Sequence, residues 1–208
     1  YSNNVKKLKA VATEKGSAFC YIQAPFKMKS DDELPANTSY ANYNTDNLLN
    51  NLSTAGIDTI DFRSVLDEQN VDYKDAFYFS DHHWRAETGL FASEYIMNYF
   101  DDKYSVGYNK PLYYSGNFNK KTYTNCFLGF HGRNTNVAFT GRDDLALITP
   151  KYATNLTFKI TDSKGVVSEK TGSFDNTVLN KTKYLKRDDK LNVYATYSWG
   201  DPKISITT

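Results

Sequence analysis

Residues 78–96 read YFSDHHWRAETGLFASEYI, and this stretch decides how the fold of the whole chain is interpreted. Its first part is short and aromatic, which favours a strand that ends at the histidines. The part that follows has small and apolar residues three or four positions apart, at Gly89, Ala92, Ile96 and Tyr99. That spacing predicts an amphipathic helix that ends near Asp101. Open α/β sheets carry their active sites where a strand passes into a helix, so we expect a site at this junction.

The junction contains two of the 3 histidines of the chain, in the order Asp81, His82, His83. Side chains two positions apart on an extended strand point to the same side, with their Cα atoms about 6.6 Å apart. We therefore expect Asp81 to face His83 and His82 to point away. An aspartate that holds one imidazole nitrogen leaves the other as a base, which is the Asp-His part of a serine-type triad. The alternative is a polar pair that only ties the strand to the helix.

Residues 1–110 alternate helix and strand patterns, which predicts an α/β part. The first helix is indicated by apolar residues three positions apart, at Val5, Leu8 and Val11. It is expected to stop at Gly16. Residues 17–24 form a short apolar run before a proline and are predicted to be a buried strand.

A second helix and a second strand follow a loop rich in polar residues. Thr45 or Asp46 is expected to cap this helix, and Gly56 is expected to end it. Residues 57–60 then begin the second strand. The predicted order before the histidine motif is therefore helix, strand, helix, strand.

Residues 111–208 change character and are predicted to be a mostly antiparallel β segment packed on the first part. Polar and apolar residues alternate in three places, at residues 156–160, 191–193 and 204–206. A turn is expected at residues 200–202. The chain is thus divided at residue 110 into an α/β part and a β segment.

The composition excludes several classes of function. The 25 Lys and Arg stand against 24 Asp and Glu, which gives a formal net charge of +1, so we do not expect nucleic acid as a partner. No apolar stretch reaches the ~18 residues of a membrane span, and the mean hydropathy is −0.62. Cys20 and Cys126 form no metal knuckle, and whether they form one long-range disulfide stays open. We predict no cofactor.

The motif and its surroundings resemble the signature of the bacterial DHHW proteins, which are similar to the alginate O-acetyltransferases of the SGNH-hydrolase-like superfamily. The preceding features come in the matching order: a strand that ends in Ala24-Pro25, an ELP element at residues 33–35, a helix, and GIDTID at residues 56–61. After the motif, CFLGFHGR at residues 126–133 and FTGRDDLALITP at residues 139–150 look like the inserted β segment of the DHHW branch.

The resemblance implies an SGNH-like, flavodoxin-like three-layer α/β unit, incomplete at the C-terminus of this chain, with the β segment in its second half. It implies an O-acetyltransferase or acetylesterase for a cell-envelope polysaccharide, with Asp81 and His83 as catalytic residues. The expected location is extracellular or associated with the cell envelope, with an anchor or signal peptide outside this chain. An acetylated glycan is the implied substrate, and a membrane-bound acetyl donor protein is an implied partner.

The resemblance also implies a serine nucleophile in a G-D-S block beyond the Asp-x-His motif. The only Gly-Asp pair in the sequence, Gly200-Asp201, is followed by Pro202. Ser80 is the hydroxyl nearest to the motif, but on a strand it would turn away from Asp81, so we do not expect it to be the nucleophile. Either the nucleophile lies outside this chain or this member lacks it, and enzymatic activity stays an open question.

Residues around the motif are candidates for binding the substrate. We predict substrate contacts for Trp84, His131 and Arg133, and an oxyanion nest from the backbone N–H groups of Gly129 and Gly132. Two alternatives stay open. One is a non-catalytic carbohydrate-binding or envelope-scaffold protein; the other is a metal site of Asp81, His83 and His131, for which the sequence offers few further ligands.

Overall fold

The computed structural model describes residues 1–36, 38–161 and 164–179, together with a strand at residues 203–207. Contacts divide the chain into two compact units, Tyr1–Ala76 and Phe77–Thr208. The predicted division at residue 110 stays a prediction. The contacts place the boundary between the two units after residue 76. The reason is that the helix after the histidine motif packs against a strand of the β segment and therefore clusters with it.

The first unit contains four helices and two strands. They are α1 (Ser2–Glu14), β1 (Cys20–Gln23), α2 (Ala41–Thr54), β2 (Asp58–Asp61), α3 (Phe62–Glu68) and α4 (Tyr73–Ala76). A 3₁₀ turn at Asp31–Glu33 precedes α2. Strands β1 and β2 pair in parallel, with Cys20 opposite Asp58 and Gln23 opposite Asp61. The predicted order of helix, strand, helix, strand is present, while α3 and α4 were not predicted.

Helix α1 is amphipathic to a smaller extent than its sequence suggests. It ends at Glu14, and Gly16 takes a left-handed backbone with φ of 72° that turns the chain towards β1. Val5 is buried against Leu52 and Ile57. Leu8 and Val11 are exposed in the described structure. The predicted apolar stripe therefore contributes one residue to this core.

Helix α2 begins four residues before the predicted cap. The carboxylate of Asp31 accepts hydrogen bonds from the N–H groups of Asn42 (3.2 Å) and Tyr43 (3.0 Å). The hydroxyl of Ser39 accepts another from Ala41 N–H at 3.2 Å. The predicted cap at Thr45 or Asp46 was wrong. The main acceptor is Asp31, which lies in a preceding turn, ten positions before the start of the helix.

The second unit contains the remaining elements, with 3₁₀ turns at Lys110–Leu112 and Ser115–Asn117. They are α5 (Ala86–Tyr104), β3 (Phe118–Phe127), α6 (Phe130–Thr135), α7 (Val137–Thr140), β4 (Asp143–Pro150), β5 (Leu156–Thr161), β6 (Val167–Gly172), α8 (Phe174–Thr177) and β7 (Lys203–Thr207). Strand β3 pairs antiparallel with β4, and β6, β5 and β7 form an antiparallel sheet in that order. The antiparallel prediction is confirmed for these strands. The patterns at residues 191–193 and 200–202 lie outside the described residues.

A core of aromatic and aliphatic side chains holds this unit together. It comprises Tyr78, Tyr123, Cys126, Phe127, Leu145, Leu147, Phe158, Val178 and Leu179. The ring of Tyr78 lies 4.7 Å from that of Phe127, centre to centre, so the start of the histidine motif is anchored on β3. Helix α5 runs three residues beyond the predicted end and stops at Ser105, which has a left-handed φ of 54°.

Cys20 and Cys126 form no disulfide with each other; Cys126 is buried in the core of the second unit. None of the helices in the described part of the chain is both long and apolar enough to cross a lipid bilayer.

We expect Asp31→Ala to lower the melting temperature at neutral pH, because the first N–H groups of α2 lose their acceptor. The hydrogen bond from Tyr43 N–H is the largest cause that lowers the pKa of Asp31 below its ordinary 3.8. A lowered folded-state pKa gives stability above the unfolded pKa that is lost as the pH falls through the folded pKa. The difference from wild type should therefore shrink in acid, below about pH 4, in melts followed by circular dichroism.

The matched control is Asp32→Ala, one residue further in the same turn. It should melt close to wild type at every pH. A wild-type advantage over Asp31→Ala that is as large at about pH 2.5 as at neutral pH would contradict the capping role of Asp31.

Candidate active site

The histidine motif forms a turn and not the predicted strand. Residues 79–83 turn between Phe77 and Trp84, which pair in an isolated antiparallel bridge. Tyr78 N–H donates to the carbonyl of His83 at 3.2 Å and closes the turn. The strand prediction was wrong because the Asp81 carboxylate accepts from His83 N–H, 2.9 Å away, and this local bond competes with an extended backbone.

Asp81 and His83 are hydrogen-bonded within this turn. The Nδ1 atom of His83 lies 2.5 Å from Oδ1 of Asp81, and the other carboxylate oxygen accepts from Phe130 N–H at 2.7 Å. An ionised carboxylate can only accept, so Nδ1 carries the proton and Nε2 of a neutral ring is left as the acceptor. The Asp81 side chain is 3% exposed and that of His83 is 40% exposed. The Asp81 side of the pair is thus buried, and the His83 side is accessible to solvent.

Hydrogen bonding keeps the buried carboxylate ionised. Burial alone would raise the pKa of Asp81, but the bond from Phe130 N–H, the bonds from the ring and the N–H of His83, and the charge of that ring together lower this pKa below its ordinary value. Asp81 is therefore suited to stabilising a positive charge on His83 and to fixing its tautomer.

His82 does not point away from the pair as predicted. Its ring centre lies 3.9 Å from that of His83 and 5.6 Å from that of His131. Its Nδ1 atom is 3.7 Å from Oδ1 of Asp81. Alternation between the two faces holds only on an extended strand, and the turn brings neighbouring side chains to one side. All 3 histidines of the sequence are therefore collected at one place.

Ser80 is a structural residue of this turn. It is fully buried, and its hydroxyl donates to Oδ2 of Asp143 at 2.5 Å while accepting from Gly129 N–H at 2.9 Å. The same carboxylate accepts from the N–H groups of Phe79 and Ser80, each at 2.7 Å. A hydroxyl held in this way is not exposed to a substrate, in agreement with the sequence expectation for Ser80.

Asp143 was not predicted as a site residue, although it lies in the FTGRDDLALITP stretch at residues 139–150. It is the first residue of β4, separated by Asp144 from an apolar run, and it is 6% exposed. A charged residue that starts an apolar strand is a candidate for burial with partners. Its partners come from residues more than 60 positions away, so the sequence could not identify them.

The GFHGR segment begins helix α6 and forms no oxyanion nest. The N–H of Gly129 donates to Ser80 Oγ and that of Gly132 donates to the Ser80 carbonyl at 2.9 Å. Both predicted donors are thus engaged inside the protein, and the nest prediction was wrong. The close approach requires glycine, because a Cβ atom on Gly129 would lie 2.5 Å from Oδ2 of Asp81.

Of the three predicted substrate-binding residues, Trp84 directly follows the turn, and His131 and Arg133 lie on α6. Trp84 is half-buried and its backbone pairs with Phe77. His131 is exposed and its ring faces that of His82. Arg133 is exposed on α6, where its N–H donates to Gly129 O at 3.0 Å. The structure brings His131 next to His82, while the role of each residue in binding stays a prediction.

A family described as "SGNH hydrolase-like domain, acetyltransferase AlgX" matches residues 2–120 of this chain, and the match includes the whole histidine motif. The chain belongs to this SGNH hydrolase-like acetyltransferase family. The resemblance predicted from the sequence is therefore confirmed. No curated protein matches the sequence.

Solved structures share the fold of this AlgX-like chain. Bacillus cereus PatB1, in a structure with a sulfonyl adduct, superposes with a TM-score of 0.69 at 21% identity, over 98% of this chain and 66% of PatB1. A DHHW family protein from Eubacterium siraeum gives 0.60 at 17% identity, over 99% of this chain and 63% of the other. The O-acetyltransferase domain of Pseudomonas putida AlgJ gives 0.51 at 15% identity, over 72% and 56%. The AlgX-like chain thus spans about two thirds of the length of PatB1.

We expect Gly129→Ala to destabilise the AlgX-like domain, because the new methyl group meets the side chain of Asp81. Overpacking of this kind costs about 1–3 kcal/mol of the free energy of unfolding. Urea denaturation measures the loss. The matched control is Gly89→Ala in the first turn of α5, where a Cβ atom has open space and alanine favours the helix by up to about 1 kcal/mol. Equal stability of the two variants would contradict the packing of Gly129 on Asp81.

We expect Ser80→Ala to lower the free energy of unfolding by about 1–3 kcal/mol, because Gly129 N–H and one Asp143 oxygen each lose a buried partner. Ser93→Ala is the control, since the Ser93 hydroxyl is exposed on α5 and bonds only to its own helix at Gly89 O. Thermal and urea unfolding of the two variants compare the losses. An unchanged stability for Ser80→Ala would contradict the structural role assigned to this hydroxyl.

Proposed function

We propose that this chain is part of an SGNH-like O-acetyltransferase or acetylesterase that acts on a cell-envelope polysaccharide. The observation that carries the proposal is the Asp81–His83 pair, in which a buried carboxylate holds Nδ1 at 2.5 Å and leaves the exposed side of the ring to accept a proton. The family description names an acetyltransferase, and the AlgJ domain with the same fold is described as an O-acetyltransferase, which agrees with this chemistry.

In the proposed mechanism, His83 is the general base and Asp81 holds its tautomer. Nε2 takes the proton of a serine hydroxyl while the serine oxygen attacks the acetyl carbonyl carbon of the donor. The tetrahedral intermediate collapses to an acetyl-serine, and the donor's oxygen leaves with the proton from His83. A sugar hydroxyl, or water in an esterase, then loses its proton to His83 and attacks the acetyl-serine. The serine leaves with that proton, and acetyl sugar or acetate is released.

We place the serine nucleophile outside the residues described here. Ser80, the closest hydroxyl along the chain, is buried and bonded to Asp143. The sequence contains no G-D-S block. PatB1 carries a sulfonyl adduct, and sulfonyl groups are electrophiles that add to activated nucleophiles, which is consistent with covalent catalysis on this fold.

The substrate contacts, the acetyl donor and the location of the proposed enzyme follow from the same assignment of Asp81 and His83. Trp84, His131 and Arg133 contact the glycan beside His83, and the half-buried and exposed positions of these side chains are compatible with that role. A membrane-bound protein supplies the acetyl group, and the reaction takes place outside the cell or in the envelope, where such polysaccharides are. In the whole protein, residues outside this chain complete the α/β part to a three-layer, flavodoxin-like unit. The competing candidate is a non-catalytic carbohydrate-binding or scaffold protein, in which the bond between Asp81 and His83 only stabilises the turn.

We expect the full-length gene product to lose nearly all turnover of an acetyl ester in His83→Ala, because the proton acceptor is gone. Asp81→Asn should lose about 10³ to 10⁴-fold, because an amide no longer fixes the tautomer. His82→Ala should lose less than about tenfold, since its Nδ1 lies 3.7 Å from Asp81, beyond hydrogen-bond distance. Acetylesterase rates and melting temperatures are measured together for the three variants.

The variants separate the competing functions. Equal rate losses for His82→Ala and His83→Ala, in proteins that melt like wild type, would contradict the assignment of His83 as the base. A wild-type protein that binds glycans but releases no product from acetyl esters would favour the non-catalytic candidate.

A further inference from the structure

We propose that the imidazoles of His82, His83 and His131 form a binding site for a divalent transition-metal ion of the Zn²⁺ class. The three rings are the only imidazoles of the sequence, and the fold collects them from two separate segments, the turn at residues 79–83 and the first turn of α6. Imidazole nitrogen is a preferred ligand of Zn²⁺, and three protein ligands with a water molecule are a common coordination set.

The spacing of the rings suits this coordination. Two imidazoles bound to one tetrahedral Zn²⁺ at about 2.0 Å place their ring centres about 5 Å apart. The centres of His82 and His131 are 5.6 Å apart with the rings 68° from parallel. Those of His82 and His83 are 3.9 Å apart with the rings tilted by 43°, so this pair has to open by about 1 Å to reach that spacing. The side chains of His82 and His83 are 51% and 40% exposed, which leaves room for this rotation.

Asp81 orients one ligand and does not itself bind the metal. Its carboxylate, which is 3% exposed, accepts from His83 Nδ1, His83 N–H and Phe130 N–H. The bond to Nδ1 leaves Nε2 of His83 on the side of the ring away from the carboxylate, and the His83 side chain is 40% exposed. Histidines that bind metals commonly donate their second nitrogen to a carboxylate, which fixes the ring and makes the ligand a stronger donor. The negative charge also offsets part of the charge of the ion.

Occupation of this site has a consequence that rests on the proposed function. A metal ion on Nε2 of His83 takes the lone pair that would accept the serine proton. Zn²⁺ at saturating concentration should therefore inhibit acetyl transfer, and chelation should restore it. Metal binding itself does not depend on activity and is measured on this chain alone.

The test is a titration of the 208-residue chain, produced without a histidine tag and freed of metal with a chelator. Calorimetry with ZnCl₂ should give one ion per chain with a dissociation constant at or below the micromolar range. CoCl₂ should give the visible absorption of four-coordinate, nitrogen-bound Co²⁺. His82→Gln and His131→Gln should each weaken Zn²⁺ binding at least tenfold, and Asp81→Asn should weaken it about 10 to 100-fold.

Glu169→Gln is the matched control, because it removes a carboxylate on β6 that is paired with Lys159 and is not part of the cluster. It should bind Zn²⁺ like wild type, and all variants are checked by thermal melting. Absence of saturable Zn²⁺ binding below about 1 mM would overturn the proposal. Binding that is unchanged in either His82→Gln or His131→Gln, in a folded protein, would overturn the three-histidine site. Neither outcome bears on His83 as a base, which the rate measurements decide separately.

Discussion

The arrangement of the candidate active site depends on the burial of the Asp81 carboxylate. An ionised group removed from water is unfavourable by several kcal/mol unless donors replace its hydration. Here the donors are two N–H groups and one imidazole, drawn from the turn itself and from the first residue of α6. Each donor has to be placed within hydrogen-bond distance, so the path of the turn and the start of α6 are set together. Gly129 is required where α6 approaches because a Cβ atom would occupy the space of the carboxylate.

A second buried carboxylate fixes the residue before Asp81. Asp143 accepts from the Phe79 and Ser80 N–H groups and from the Ser80 hydroxyl, and that hydroxyl in turn accepts from Gly129 N–H. The turn is therefore bonded to β4 through Asp143 and to α6 through Ser80 and Asp81. Removal of any one of the side chains of Ser80, Asp81 and Asp143 leaves a buried polar group without a partner. We therefore expect the effects of substituting these residues on the free energy of unfolding to be non-additive.

Local signals in the sequence predicted several of the elements, and contacts distant in sequence decided where some of them begin and how they meet. The helix that contains Leu52 and the two strands before the motif could be predicted from periodicity and from Gly56, whereas their parallel pairing was seen only in the structure. The start of α2 could not, because its capping carboxylate, Asp31, lies in another turn. Contact between Asp81 and His83 was predicted from their spacing, yet it arises from an Asx turn and not from a strand. His82 was misplaced for the same reason, and Asp143 was missed because its partners lie more than 60 positions away.

The hydrogen bonds described here that orient His83 involve Asp81 and Phe130, within the second unit. The serine of the turn, Ser80, is buried and bonded to Asp143. The geometry of the Asp81–His83 pair is therefore set by hydrogen bonds within the turn and from the start of α6. A base organised in advance lowers the free energy needed to position it during the reaction, whichever hydroxyl it deprotonates. One exposed imidazole nitrogen of His83 can therefore serve proton transfer in the proposed acetyltransferase and, with two neighbouring imidazoles, the proposed metal site.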